Sequence, residues 1–142
     1  MIQRIQTLYL LLGGLLMGFY FLFVDTWKEY AMEAGYGWAA PVSIVWSVVL
    51  GVAILGAIFL YRERERQRKV ILLLQWLVLV FALFLYAILF LSGYIRAVLA
   101  SGPLLNDVFA VVLPLVVYGF LYMARRGVEH DIALIRSMER LR

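Results

Sequence analysis

Hydrophobic and polar positions alternate in long blocks along this chain, not residue by residue. Four apolar runs occupy roughly residues 7–24, 41–61, 70–91 and 104–124, and clusters of charge separate them. A helix needs about 20 apolar residues to cross the hydrocarbon core of a bilayer. The blocks therefore predict an all-α membrane protein, with a four-helix transmembrane bundle over residues 1–124. Past the fourth run the pattern changes. Val128, Ile132, Ile135 and Met138 recur at helical spacing, Leu134 and Leu141 widen that face, and Arg126, Arg136, Arg140 and Arg142 take the polar side. This predicts a basic amphipathic helix over 125–142, the kind that lies on a membrane surface or docks on a partner. Gly127 offers it a place to turn away from the fourth span.

Within the runs, small and polar residues mark the faces expected to meet. Gly14 and Gly18 are four apart on the first helix, and Ser43, Ser47 and Gly51 recur every four residues on the second. Small residues at this spacing let helix backbones approach closely, which is how helices associate in lipid. Gly14, Gly18, Ser47 and Gly51 are thus the candidate packing positions. Gln75 is an amide inside the third run and is expected to hydrogen-bond across helices. Pro114 lies in the middle of the fourth and should kink it, because proline removes a backbone bond.

The connections have different characters. Residues 25–40 combine Asp25, Lys28, Glu29 and Glu33 with Trp27, Tyr30, Tyr36 and Trp38, an interfacial composition, since Trp and Tyr favour the membrane–water boundary. Residues 62–69 read Arg-Glu-Arg-Glu-Arg-Gln-Arg-Lys, predicted as a basic hairpin loop. Ser101, Gly102 and Pro103 form the last turn; Asp107 follows in the first turn of the fourth helix, where a carboxylate suits the helix dipole and could pair with Arg96.

Charge then sets the orientation. Of the 13 Lys and Arg residues, eleven fall at the start of the chain, in the middle hairpin or in the tail, and only Lys28 and Arg96 lie in the other two connections. Cytoplasmic loops carry the excess of Lys and Arg, so both termini and the hairpin are expected in the cytoplasm. The same sorting gives a better account of the basic pI of about 9.6 than nucleic-acid binding does: the excess faces anionic lipid.

Composition narrows the function classes. The chain of 142 residues is 65% hydrophobic, well above the roughly 45–50% of soluble domains, and little is left over for a soluble catalytic domain. With no cysteine, disulfides, thiolate chemistry, iron–sulfur clusters and thiolate zinc sites are excluded. The single histidine, His130, lies outside the spans, so a bis-histidine haem between helices cannot be built. Arg4 followed by an apolar run resembles a secretory signal, but the run of about 18 residues exceeds the usual apolar region of about 7–15 and reads as a retained span. No cofactor, metal site or catalytic residue is expected.

The ends of the chain carry a resemblance. The opening Met1-Ile2-Gln3-Arg4-Ile5-Gln6-Thr7-Leu8-Tyr9-Leu10-Leu11-Leu12 and the closing Leu134-Ile135-Arg136-Ser137-Met138-Glu139-Arg140-Leu141-Arg142 resemble a family of small bacterial four-span membrane proteins known only as a domain of unknown function. Arg126 and Asp131 fit its tail. Tyr61 and Arg62 followed by Arg64 and Gln67 are similar to its basic hairpin, with Glu63 and Glu65 making this copy more acidic. The resemblance implies a protein of the bacterial inner membrane and brings no catalytic or cofactor residue with it.

The expected function is a non-catalytic accessory or scaffold subunit of a larger membrane assembly. It would contact the bilayer, including anionic lipids, and other membrane subunits, with nucleic acid not expected. Its candidate docking residues are Arg62, Arg64, Arg126, Asp131, Arg136, Arg140 and Arg142. The alternative is a small ion- or proton-coupled transporter, which would call for an ionisable residue within the bilayer.

Overall fold

The computed structural model describes residues 2–140, with side chains from Ile5 onward; Leu141 and Arg142 of the tail lie outside the described residues. Six helices follow in order: α1 (Ile2–Gly18), α2 (Asp25–Glu33), α3 (Ala39–Gly56), α4 (Arg64–Leu91), α5 (Tyr94–Ser101) and α6 (Leu105–Arg140). Tighter 3₁₀ turns extend α1 over Phe19–Phe23 and α3 over Ala57–Arg62. The four stretches Ile5–Phe23, Ala39–Arg62, Arg64–Leu91 and Leu105–Arg140 are long and apolar enough to cross a membrane.

These four close into a ring. α1 packs on α3 and α6, and α4 packs on α3 and α6. The first and last helices are therefore neighbours. The start of α1, the α3–α4 turn and the end of α6 meet at one end of the bundle, called here the basic end. The short helices α2 and α5 lie at the other. Along the ring's axis runs an apolar core that includes Leu10, Met17, Tyr20, Ile54, Phe81, Leu85 and Leu121, all fully buried. Tyr20 and Trp46 each meet the Phe81 ring edge-on, with centroids 5.5 and 5.6 Å away. The outward positions are as apolar as the core: Val45, Val49 and Val52 on α3 are each more than half exposed. In lipid such a surface costs nothing, so close packing rather than hydrophobic burial must hold the helices together.

Close packing is tightest where α1 crosses α3. A Cβ added to Gly51 would sit 2.6 Å from the Gly18 nitrogen and 2.7 Å from its Cα, and one added to Gly14 would sit 2.7 Å from the Leu55 side chain. The same construction at Gly18 finds no atom within 4 Å. Gly18 thus lends its backbone to the crossing while its side-chain direction is open. Ser47, buried on the same face of α3, returns its hydroxyl to the Ile44 carbonyl at 2.9 Å, and Ser43 does the same to Ala39 at 2.7 Å. Neither serine leaves an unpaired polar group against its neighbour.

Pro114 sits inside α6 without ending it. Proline has no N–H for the Ala110 carbonyl four residues back, and Tyr20 supplies a replacement: its hydroxyl donates to the Ala110 oxygen at 3.2 Å. Tyr86 donates to the next carbonyl, Val111, at 2.7 Å. Two neighbouring helices therefore satisfy the disturbed turn, as lipid-buried backbone requires.

Three expectations change. The run 62–69 is not a loop: Glu63 is the only non-helical residue between the end of the α3 extension and α4, because Arg, Glu, Gln and Lys are good helix formers and continue α4 outward to Arg64. The tail is not a separate helix, since α6 continues through Gly127 to Arg140. Gly127 instead makes room for a neighbour, as a Cβ there would lie 2.6 Å from the Gln6 side chain. The connection 25–40 is more than interfacial, because α2 buries Trp27 and Ala31 completely against α3, α4, α5 and α6.

Candidate docking surface at the basic end

The end of the bundle is fastened before any surface is left over. Gln67, on the first turns of α4, is buried and donates through Nε2 to the Ala57 carbonyl at 3.1 Å, tying the α3–α4 turn together. Asp131 continues the buried seam of α6, which runs Ala110, Leu113, Val117, Leu121, Ala124, Val128, Asp131 at spacings of three and four. Its carboxylate accepts from Gln6 Nε2 of α1 at 3.0 Å and lies 3.4 Å from Arg64 Nη1 of α4. With Asp131 only 6% exposed, this contact joins three helices, and its charge faces inward. Gln6 is not among the candidate residues read from the sequence; its signal is its place on the same face as Leu10, one turn before it and directly ahead of the apolar run.

Outside this knot the charges are open to solvent. Arg136 Nη2 donates to Glu65 Oε1 at 2.7 Å, bridging α6 to α4 through side chains that are more than half or about half exposed. Such a surface pair contributes about 0–1 kcal/mol and opens easily. Glu63 pairs with Arg66 at 2.8 Å and Glu65 with Arg68 at 3.4 Å along α4. On either side of the Arg136–Glu65 bridge lies a cleft. One, of about 720 Å³, is lined by Arg62, Arg66, Lys69, Ile135 and Glu139 among others. The other, of about 550 Å³, is lined by Arg68, Glu129, Ala133 and Arg140 among others. Ile135 and Met138, which the amphipathic pattern placed on the apolar face of the tail, are exposed. The buried face is rotated toward Val128 and Asp131, and the apolar stripe beyond Ile132 is left uncovered.

Of the candidate docking residues, the structure thus brings Arg62, Arg64, Arg136 and Arg140 to the two clefts. Asp131 is turned into the bundle. Arg126 is exposed and lies over the Tyr122 ring at 5.8 Å, away from both clefts, and Arg142 is outside the described residues.

Between α4 and α6, closer to the bundle's middle, Gln75 does not bond across helices as its sequence position suggested. It is 3% exposed, and neither its Oε1 nor its Nε2 has a partner. Leaving such a group unsatisfied costs about 1–3 kcal/mol.

At the opposite end, Asp107 pairs with α5 through Tyr94 and not through Arg96. Its Oδ1 accepts from the Tyr94 hydroxyl at 2.7 Å, and its Oδ2 accepts from the Leu104 N–H at 2.8 Å, closing the first turn of α6. Burial, and then the hydrogen bond to Asp107, push the Tyr94 phenol above its ordinary range, so it remains a donor.

A family model described as Domain of unknown function (DUF4293) matches residues 2–141, nearly the whole chain, and the chain belongs to that family. No curated protein and no solved structure matches it.

Proposed function

We propose that this member of the family is a non-catalytic accessory or scaffold subunit of a larger assembly in the bacterial inner membrane. In this reading both termini and the α3–α4 turn are cytoplasmic, consistent with the sorting of basic residues. The observation that carries the proposal is the pair of open clefts flanking the Arg136–Glu65 bridge, lined by arginines and edged by the uncovered apolar residues Ile135 and Met138. An acidic, amphipathic segment of another subunit suits them: its carboxylates would compete with Glu65 for Arg136, and its apolar side would cover Ile135. A bridge worth so little is readily exchanged for a partner's carboxylate. The transporter reading has less support. The two buried carboxylates among the described residues, Asp107 and Asp131, sit at opposite ends of α6, with Leu113, Val117, Leu121 and Ala124 buried between them.

The test is a pull-down in mild detergent from native membranes, with mass spectrometry, comparing the wild-type chain with an Arg136→Glu, Arg140→Glu double variant. The double variant should insert normally and lose the co-purifying subunits. Recovery of the same partners at the same yield would sink the proposal.

A further inference from the structure

The geometry points to a binding site for one anionic, hydroxyl-bearing phospholipid headgroup, of the phosphatidylglycerol type, in the cavity between α4 and α6 around Gln75 and Arg125. The cavity measures about 80 Å³ and is lined by Leu72, Gln75, Trp76, Leu79, Tyr118 and Arg125. A single water needs about 10–15 Å³, so the space suits a group the size of a phosphate.

Its chemistry is specific at two points. Gln75 is buried, with both a donor and an acceptor unpartnered. Arg125 brings its charge to the same cavity. Its guanidinium is held over the Tyr122 ring at 5.5 Å, and its Nε lies 3.6 Å from Glu129, close enough for attraction yet without a hydrogen bond. A phosphate oxygen accepts from Arg125 Nε and Gln75 Nε2, and a headgroup hydroxyl donates to Gln75 Oε1. A lipid that offers only acceptors would leave the Gln75 oxygen unpaired.

The depth agrees. Gln75 is six residues along α4 from Lys69, about 9 Å at the helical rise, and Arg125, which shares the cavity, directly follows the fourth apolar run of about residues 104–124. Trp76 is 63% exposed and Leu72 is 41% exposed beside the cavity, leaving a lipid-facing wall for the chains. An aromatic side chain at this level is the usual interfacial anchor. The site shares no lining residue with the two clefts, and Glu129, beside Arg125, lines the smaller of them.

The test uses the full chain in nanodiscs of phosphatidylcholine with and without phosphatidylglycerol, read by native mass spectrometry after partial delipidation and by thermal melting. Wild type should retain one phosphatidylglycerol per chain and melt higher in its presence. Gln75→Leu and Arg125→Gln should each lower retention about tenfold or more, since each removes hydrogen bonds to a charged group. Arg126→Gln should change nothing. Gln75→Leu should melt in pure phosphatidylcholine at least as high as wild type, because it deletes an unpaired buried amide, and that shows the variant folds. Equal retention by Gln75→Leu and wild type would overturn the site and leave bridging waters as the occupants of the cavity. An equal melting shift from inorganic phosphate would overturn the lipid as its source.

Discussion

Gly18 and Gly51 look alike in the sequence and differ in space. Gly51 has the backbone of α1 pressed against the place where a Cβ would go, whereas Gly18 has nothing there. Replacing Gly51 by Leu should therefore force α1 and α3 apart and cost about 1–3 kcal/mol, the usual penalty of overpacking. Gly18→Leu should stay within about 0.5 kcal/mol, as for an unconstrained surface position. Thermal melting of the two variants in one detergent separates them, and equal losses would mean that the crossing is not where the structure has it. A small-residue stripe is visible in sequence, but which of its members donates space and which donates backbone depends on the crossing angle. Gln75 makes a related point. Its isolation among leucines was legible, and its lack of a partner was not, because that depends on what α6 places opposite.

At the scale of elements, the spans were legible because lipid demands long apolar runs, and the four predicted stretches agree closely with the four long helices. Their ends were not. Apolarity reports where a helix meets lipid, while helicity continues wherever good helix formers follow, so α4 begins at Arg64 and α6 runs on to Arg140. The tail's inward seam was not legible for a connected reason. A seam of spacing three and four that ends in a carboxylate does not register as apolar, yet Asp131 is the residue on that seam which reaches Gln6 and Arg64. Asp131→Leu should therefore loosen the end of α6. It removes a hydrogen bond to a charged group, a loss of about 1.5–3 kcal/mol, and should expose the bonds after Val128 to protease. Arg136→Gln, which breaks only the exposed bridge to Glu65, should cost about 0–1 kcal/mol and leave the cleavage rate near that of wild type. Cleavage no faster in Asp131→Leu than in Arg136→Gln would show that the inward contact does not hold the tail.

For the whole molecule, the structure places the start of α1, the α3–α4 turn and the end of α6 together, and these segments carry ten of the 13 basic residues, with an eleventh, Arg142, outside the described residues. A reporter active only in the periplasm should be silent when fused at Arg142 and active when fused at Gly35, and the reverse pattern would invert the proposed orientation. Ring closure has a further consequence, in time. The contact between Gln6 and Asp131 joins residues separated by 125 positions. α3 can find α1 soon after both are made, but α6 cannot, for about 80 residues lie between the end of the first span and the start of the last. At about 5–20 residues per second of synthesis, that delay is roughly 4–16 s. For that interval the side of α1 that will meet α6 faces lipid or the insertion machinery, and the newborn protein is an open three-sided trough that only its final helix can shut.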